Sequence, residues 1–590
     1  MLTLTDEEQA LLAGAHGPGT QMAMSILVEM ARIYGARHLL PISGAHIDST
    51  IYIGEAGLAF AERLAELGAQ ISVPATVNVS GLDEHNWQDW PVPQQWAQNA
   101  HRQMVAYQQM GCIPTWTCAP YQLASRPGFG QQIAWGESNA IAFANSVLGA
   151  RTERYPDLLD ICCAITGRAP AVGLHLPENR AGHLHFRLVD IPLAVQQDDT
   201  FYPVLGHLLG HIAQDRIPVV SGLQAQPNED QLKALGAAAA SSGTVALFHL
   251  VGITPEAATL EDAFQDRPPA ETIDVTLPHL RAARQELTTA DGQQLDMVVL
   301  GSPHFSLTEF AQLTPLLAGR QKHPDVEFLV TSSRAMALLA KQAGHLAALT
   351  AFGGRVTLDT CILATPMLPP RVKTLMTNSA KYAYYAPGLL NTTVTFGSLA
   401  DCVNSAETGR VVRDHALWGD GPATPLVVPR ATDPRPVLAG TPSLTRPQTI
   451  PGRAIIPGEV QATALVSPEP LSFWGGYDHQ TGEITDRRHP LSGVNAAGRI
   501  LAVPFTRGSS TTTAVLLEAV RAGTAPAAIL TTHVDSFFAL ASIVADVLYA
   551  RPVPLIVISP AQFATLQTGD MLHISPGGQI TLLADEPQHL

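Results

Sequence analysis

The sequence predicts an α/β protein made of a large, multi-lobed part and a smaller module. Short apolar runs alternate with helical patterns from residue 1 to about 410, and a second alternation of the same kind fills residues 452–590. Between them, residues 411–451 break the pattern with closely spaced prolines. Alternating helices and strands are typical of α/β architecture, and a proline-rich stretch is typical of an extended linker.

The large part combines amphipathic helices with short buried strands. Residues 21–34 and 57–67 have the apolar spacing of helices. Residues 73–79, 297–301 and 327–331 are apolar runs that end in turns, and the last two are each followed by a helical pattern. This order predicts parallel strands joined by helices across the large part.

The linker and the module that follows it also have clear sequence signals. Eight prolines crowd the linker: Pro422, Pro425, Pro429, Pro434, Pro436, Pro442, Pro447 and Pro451. Four strands are predicted in the module, at 460–466, 499–503, 527–530 and 555–558, with helices between several of them. The pattern fits either a compact α/β module or a barrel-like one.

Composition and charge narrow the class of protein. The chain has 590 residues, 46% of them hydrophobic and 15% charged, which is typical of a well-buried globular protein of several domains. A net charge of −16 argues against a nucleic acid or an anionic membrane as partner. We expect no signal peptide and no membrane span. Six cysteines without a CxxC pair predict a reduced, cytoplasmic protein.

A turn in the module is the strongest local signal for a site. The predicted strand 499–503 runs into Phe505-Thr-Arg-Gly-Ser-Ser-Thr511, and a helical pattern opens at Thr513. Free backbone N–H groups and the helix dipole at such a turn favour an anion, including an ionised serine. Serine and threonine also begin helices throughout proteins, so this pattern alone is equally typical of an ordinary N-cap.

Several longer segments resemble the aconitase X family, a divergent branch of the aconitase superfamily. They are Gly111-Cys-Ile-Pro-Thr-Trp-Thr-Cys-Ala-Pro-Tyr121, Trp135-Gly-Glu-Ser-Asn-Ala-Ile-Ala-Phe-Ala-Asn-Ser-Val-Leu-Gly-Ala-Arg-Thr152, Gly301-Ser-Pro-His304, Thr331-Ser-Ser-Arg334, Asp359-Thr-Cys361, Asn378-Ser-Ala-Lys381, Trp474-Gly-Gly-Tyr-Asp478, Asp486-Arg-Arg-His-Pro490 and Arg507-Gly-Ser-Ser510. The resemblance implies an aconitase-like fold, with 1–410 as the catalytic, cluster-binding part and 452–590 as a swivelling small domain.

The resemblance also implies an iron–sulfur cluster, for which thiolates are the suitable ligands. Cys118 and Cys361 match two of the family's cluster cysteines. The family's third cysteine lies in a Gly-Cys-Pro-His segment, where this chain has Ser302. A hydroxyl is a harder and weaker ligand than a thiolate, so we expect a 2Fe-2S cluster rather than 4Fe-4S. Cys112, six residues before Cys118, is a possible substitute ligand.

The remaining site residues are also implied by the resemblance. Ser509 is the expected base that removes the substrate proton, Ser510 is its competitor, and Arg507 could add a positive charge. Lys381 is the expected cation beside the substrate carboxylate, and a solvated surface lysine is the alternative. The expected substrate contacts are His46, Asp48, Ser49, Thr50, Glu137, Ser138, Asn139, Asn145, Ser146, Arg507 and Ser510.

The fused arrangement implies a dehydratase that acts on a cyclic imino acid, cis-3-hydroxy-L-proline. The split arrangement of the family implies a mevalonate 5-phosphate dehydratase as the alternative, and another hydroxy-acid dehydratase is also possible. A non-catalytic, regulatory iron–sulfur protein is a further alternative, although the acidic charge argues against an RNA partner. We expect a monomer.

Overall fold

A computed structural model describes residues 1–419, 421–426 and 448–583 of the chain. Its first unit contains a parallel three-stranded sheet, β3-β2-β4, and an antiparallel pair, β1-β5. The predicted helices at 21–34 and 57–67 are confirmed as α2 and α3, whereas the predicted strand at 73–79 is ordered as a strand only in β3. The elements are α1 (Asp6–Leu12), α2 (Pro18–Ile33), β1 (Leu39–Pro41), β2 (Ala45–Ile47), α3 (Glu55–Glu66), β3 (Ala75–Val77), α4 (Gln94–Gln109), β4 (Ala134–Trp135), α5 (Ser138–Phe143), a π-helix (Ala144–Leu148), α6 (Leu159–Thr166) and β5 (Arg168–Pro170).

The second unit is a parallel four-stranded sheet in the order β8-β7-β6-β9. Its long helices α8 and α9 pack on each other, and α9 also packs on α5 of the first unit. Helix α9 therefore joins the first two units. The elements are β6 (Leu184–Leu188), α7 (Leu193–Gln196), α8 (Phe201–Ala213), β7 (Pro218–Ser221), α9 (Glu229–Ser242), β8 (His249–Leu250), α10 (Leu260–Phe264), β9 (Glu271–Val275) and α11 (Leu277–Glu286).

The third unit is a parallel five-stranded sheet in the order β12-β11-β10-β13-β14. The strands predicted at 297–301 and 327–331 are confirmed as β10 and β11, each followed by a helix. Their side chains are almost wholly buried, which is the pattern expected of parallel strands covered on both faces. The elements are β10 (Met297–Leu300), α12 (Leu307–Leu317), β11 (Glu327–Ser332), α13 (Arg334–Gln342), α14 (His345–Phe352), β12 (Arg355–Leu358), β13 (Thr374–Thr377), α15 (Ala380–Leu390), β14 (Thr393–Phe396) and α16 (Leu399–Thr408).

The C-terminal unit is an eight-stranded mixed sheet in the order β15-β22-β21-β17-β18-β19-β20-β16. The sheet is open, because β15 and β16 are its two edges, so the α/β alternative forms and the barrel-like one does not. The predicted strand at 460–466 is β17. The elements are β15 (Thr449–Ile450), β16 (Arg453–Ile456), β17 (Val460–Val466), β18 (Ile500–Ala502), α17 (Thr512–Ala522), β19 (Ala528–Thr531), α18 (Ser536–Tyr549), β20 (Leu555–Val557), α19 (Pro560–Phe563), β21 (Met571–Ile574) and β22 (Ile580–Leu582).

The region expected to be a linker is only partly described. Residues 411–419 and 421–426 form no helix or strand, and residues 427–447, which hold Pro429, Pro434, Pro436, Pro442 and Pro447, lie outside the described residues. Strand β15 falls within the expected linker and pairs with β22, so the C-terminal unit includes Thr449 rather than beginning at residue 452. Among the described helices, none is both long enough and apolar enough to cross a membrane.

The C-terminal unit packs directly against the first unit. Helix α17 lies against α3, and the buried Glu518 carboxylate accepts a hydrogen bond from the Ala56 backbone N–H at 2.8 Å. That N–H is among the free donors at the beginning of α3, so a side chain of one unit caps a helix of another. Arg521 lies 3.1 Å from Glu55 at the same contact. These contacts hold the turn before α17 over the first unit.

Candidate active site

A cavity lies where the four units meet, and the turn before α17 closes one side of it. It encloses about 600 Å³, including its opening to solvent. The residues predicted from the sequence that line this cavity are Cys118, Glu137, Ser138, Asn139, Ser302, Cys361, Lys381 and Ser509. Polar and aromatic side chains that the sequence reasoning missed complete the wall: Ser241, Tyr385, Trp474 and Thr511. Lys381 and Tyr385, four residues apart in α15, share one helix face, a spacing that could have identified the tyrosine.

The third unit brings Ser302 and Cys361 to this cavity because parallel strands present their carboxyl ends at one edge of a sheet. Ser302 follows β10 and Cys361 follows β12. Gly301, between β10 and Ser302, has φ +94° and lies so close to Thr331 that a Cβ atom would come within 2.2 Å of its carbonyl oxygen. Only glycine fits this turn, and the turn directs Ser302 toward the cavity.

Cys118 reaches the same cavity from a loop of the first unit. Its Sγ accepts a hydrogen bond from the His304 backbone N–H at 3.3 Å. Burial raises the pKa of Cys118 to about 12 and also raises that of Cys361, while the Lys381 charge lowers both. Two thiols and one hydroxyl facing one space fit a cluster held mainly by sulfur. In the described part of the chain no group of three or more His, Cys, Asp or Glu is placed to hold a metal ion, and the group that faces the two thiols here is a serine hydroxyl.

The other cysteines do not belong to this cavity. Cys112 is buried but does not line it, so the structure does not support this residue as a substitute ligand. Cys162 and Cys163 are fully buried in α6, and Cys402 is fully buried in α16. Burial raises the pKa of each of these three thiols, as expected of packing residues.

Lys381 and Glu137 form a buried ion pair in the cavity wall. The Lys381 Nζ donates to Glu137 Oε1 at 2.7 Å, and the two side chains are 16% and 7% exposed. Glu137 is the N-cap of α5, and its Oε1 also accepts from the Asn139 side-chain amide at 2.6 Å. Burial alone would raise the pKa of Glu137, but Lys381 and the hydrogen bonds lower it to about 2. Lys381 is therefore a paired, buried cation, and not a solvated surface lysine.

The two serines of the turn have opposite surroundings. Ser509 lines the cavity, and its Oγ donates to Thr511 Oγ1 at 3.1 Å. Ser510 is fully buried, does not line the cavity, and donates from Oγ to Asp48 Oδ2 at 2.5 Å. Gly508 makes the turn possible with φ +80°, because a Cβ atom there would lie 2.8 Å from Ser472 Oγ. Thus Ser509 alone of the pair is open to a bound molecule.

The predicted substrate contacts at 46–50 lie outside the cavity, and their polar atoms bond within the protein except the buried His46 Nε2, which has no hydrogen-bond partner among the described residues. Burial, Glu137 and Asp160 raise the pKa of Asp48 to about 8. Asp160 accepts from the Asp48 and Ser49 backbone N–H groups and from Ser49 Oγ. Thr50 donates to the Ile47 carbonyl at 3.2 Å, and His46 bonds Thr76 at 2.8 Å, with burial lowering the pKa of His46 to about 3.

Asn145, Ser146 and Arg507 also stand apart from the cavity. The Asn145 side-chain amide donates to the Thr152 carbonyl at 2.9 Å, which fixes the exit of the π-helix. Ser146 accepts from a backbone N–H at 2.8 Å. Arg507 pairs with Asp486 at 2.8 Å. Local sequence patterns could not reveal these hydrogen bonds and this ion pair. The partners Thr152, Phe248 and Asp486 are brought close only when the chain folds.

Comparison with known proteins identifies the family. Four aconitase X domain models match the chain: the first domain over residues 1–178, the second over 183–285, the third over 295–408 and the swivel domain over 449–582. The chain therefore belongs to the aconitase X family. A crystal structure of Thermococcus kodakaraensis aconitase X in its holo-form is similar, with a TM-score of 0.62 and 33% identity, covering 69% of this chain and 100% of that one.

Particular relatives include two single enzymes and a subunit. The cis-3-hydroxy-L-proline dehydratase of Pseudomonas aeruginosa is 49% identical over 414 residues, which is 70% of this chain and 71% of that protein. The enzyme of the same name from Hypocrea jecorina is 46% identical over 69% of each chain. The phosphomevalonate dehydratase large subunit of Methanothermobacter thermautotrophicus is 37% identical over 65% of this chain and 93% of that subunit.

Proposed function

We propose that this chain is a hydro-lyase that eliminates water from cis-3-hydroxy-L-proline and forms Δ1-pyrroline-2-carboxylate. The relatives with that activity in their names are 49% and 46% identical, against 37% for the phosphomevalonate dehydratase large subunit. This chain also contains the large part and the swivel domain together. The observation that carries the proposal is a cavity lined by Ser509 and Lys381. The same cavity is also lined by two thiols and a hydroxyl, those of Cys118, Cys361 and Ser302.

The reaction removes the C2 proton and the C3 hydroxyl of the substrate as water. The resulting enamine moves a proton from nitrogen to C3 and becomes the imine. The C2 proton is weakly acidic and hydroxide is a poor leaving group, so the site needs both a base and an electrophile. We propose that Lys381 binds the substrate carboxylate, and that Ser138 and Asn139 orient the ring against the Ser509 wall.

Cys118 and Cys361, with Ser302 as the third donor, would hold an iron–sulfur cluster. When bound, such a cluster supplies a Lewis acid for the departing hydroxyl. The single oxygen donor in place of a thiol favours 2Fe-2S over 4Fe-4S. We further propose that residues 1–410 carry the cluster and that the C-terminal unit, joined by the linker, closes over them. A monomeric state and a cytoplasmic location remain predictions.

Ser509 is the proposed base. A serine hydroxyl needs nearby positive charge or N–H donors before it can ionise near neutral pH, and the turn lies directly before the amino terminus of α17. The Ser510 Oγ donates its hydrogen bond to Asp48, and Ser510 does not line the cavity. Its role is to fix the turn, which places the adjacent Ser509 hydroxyl at the substrate.

A side-by-side assay tests the substrate. The purified protein, loaded with iron and sulfide, is given cis-3-hydroxy-L-proline, its trans isomer and mevalonate 5-phosphate, with product measured directly. We expect turnover of the cis isomer only. Turnover of mevalonate 5-phosphate without turnover of the cis isomer would contradict the proposed substrate.

A matched pair of variants tests the base. Ser509→Ala should retain the visible absorbance of the cluster and lower kcat by about 10²–10⁴, the usual range for the loss of a general base. Ser510→Ala removes one anchoring hydrogen bond and should lower kcat by a smaller factor. Near-normal turnover of Ser509→Ala with an inactive Ser510→Ala would move the role to Ser510, and full activity of both would exclude a serine base.

A further inference from the structure

A positive charge from the first unit reaches the turn that carries Ser509. Arg154 lies between the π-helix and α6, and its guanidinium Nη2 donates a hydrogen bond to the Gly508 carbonyl oxygen. The guanidinium carbon also lies 4.3 Å from the centre of the Phe537 ring, at the beginning of α18. Gly508 and Phe537 both belong to the C-terminal unit. Arg154 thus contacts that unit at two points beside the proposed base.

The Arg154 charge has no carboxylate within ion-pair distance among the described residues. The neighbouring Glu153 accepts from the Arg154 and Leu174 backbone N–H groups instead. Asp535 accepts from the Thr506 N–H and from the first N–H groups of α18. By contrast, Arg507, within the same turn, is paired with Asp486. An unpaired charge in a half-buried place acts strongly on the dipoles around it, since little water screens it.

We propose that Arg154 is a positioning residue that activates Ser509 through the Gly508–Ser509 peptide. Its hydrogen bond to the Gly508 carbonyl holds this peptide, while the Gly508 N–H is held by the Gly243 carbonyl at 3.2 Å. A donor at the carbonyl polarises the peptide, which strengthens the Ser509 N–H as a donor. Within the described residues that N–H donates to no protein acceptor, so it is available for negative charge in the cavity.

The Arg154 charge offsets the effect of the carboxyl groups that surround the turn. Several of them lie on the elements packed around the turn and disfavour an ionised serine, while Lys381 and Arg154 favour it. The charged and titratable groups around the turn are Asp48, Glu137, Glu153, Arg154, Asp157 and Asp160 of the first unit, Asp215 of the second, Lys381, Tyr384 and Tyr385 of the third, and Glu469, Asp486, Arg507 and Asp535 of the C-terminal unit. Because the Arg154 bond joins two units, base activation also depends on the contact between them.

The inference rests on the proposed dehydration and on Ser509 as its base. The test compares Arg154→Ala, Arg154→Lys and, as a matched control, Arg187→Ala, which removes an exposed arginine paired with Asp274. Arg154→Ala should lower kcat about 10²-fold, as for the loss of one preorganised donor, with KM changed by less than about 3-fold. Arg154→Lys keeps the charge without the planar fork and should lose about 10-fold.

Two readouts separate this role from a merely structural one. Added guanidinium ion should raise the kcat of Arg154→Ala about 10-fold and leave Arg187→Ala and Ser509→Ala unchanged. The kcat–pH profile should rise through a pKa that belongs to the base, which we attribute to Ser509. This pKa should move upward in Arg154→Ala. Normal kcat in Arg154→Ala, or a loss that neither guanidinium nor lysine reduces, would overturn the proposal.

Hydrogen exchange gives an answer that does not depend on the substrate. Backbone amides of the peptide spanning residues 505–512 should exchange at least about 10-fold faster in Arg154→Ala than in Arg187→Ala, because the turn loses its anchor. Unchanged exchange would overturn the proposal even if the substrate assignment were wrong. If Arg154→Ala does not fold, the comparison is made with Arg154→Lys, which keeps the charge and most of the volume. An inactive wild-type protein with faster exchange in the variant would count against the substrate alone.

Discussion

Replacing Lys381 by methionine should destabilise the cavity wall by leaving the Glu137 carboxylate buried without its partner. The ordinary pKa of this glutamate is 4.5, and in the folded protein it is about 2. That difference corresponds to about 3 kcal/mol of stabilisation at neutral pH. Loss of one partner of a buried pair generally costs about 3–5 kcal/mol, in agreement with this figure. Asn139 shares in lowering this pKa, so the expected loss for Lys381→Met at pH 7, about 3 kcal/mol, rests on the range for buried pairs.

The stability of each protein should also change with pH in a defined direction. A lowered folded-state pKa means that the wild-type stabilisation is fully present above pH 4.5 and is lost as the pH falls toward 2. In Lys381→Met, burial dominates and raises the pKa of Glu137, so the variant should become more stable as the pH falls from 7 to 5. The difference between the two proteins should shrink over that range.

Native-state hydrogen exchange of α5 and α15 peptides is the suitable assay, because a chain of several units has no single unfolding free energy. The matched control is the double variant Glu137→Gln/Lys381→Met, which removes both charges and should recover most of the lost stability. Equal protection in wild type and Lys381→Met at pH 7, or no recovery in the double variant, would refute the reasoning. It would show that the pair contributes little beyond the packing of its side chains.

The remaining predictions concern the cluster and the unit contact. Cys118→Ala and Cys361→Ala should each abolish the visible iron–sulfur absorbance, while Cys402→Ala, a buried cysteine elsewhere in the fold, should keep it; full iron and colour in Cys361→Ala would contradict the ligand set. Ser302→Cys should raise iron per chain, measured by elemental analysis, because it supplies a third thiolate. Glu518→Ala removes the carboxylate that caps α3 and should cost about 1 kcal/mol of protection at that helix; unchanged exchange there would exclude a capping role.

Sequence patterns were sufficient where structure depends on neighbouring residues. Helix α2 and strand β17 were predicted from apolar periodicity, because burial of one face imposes the same period on the chain. The predicted strand at 73–79 is too long, because only Ala75–Val77 pairs with the parallel strand β2. The cavity-lining positions Glu137, Ser302 and Lys381 were predicted through the family's motifs. The ion pair between Lys381 and Glu137 was not, because these two residues come from different units.

The sequence by itself determined the α/β class, the aconitase X family and the residue types available to the cavity. Only the tertiary structure decided which of two adjacent serines lines the cavity. It placed Ser510 on Asp48, and it brought Arg154 to the turn as a charge without a carboxylate partner, whereas Arg507 of the turn is paired with Asp486. The reason is physical: an N-cap motif fixes the local backbone, whereas burial and the partners of each side chain depend on residues hundreds of positions away along the chain.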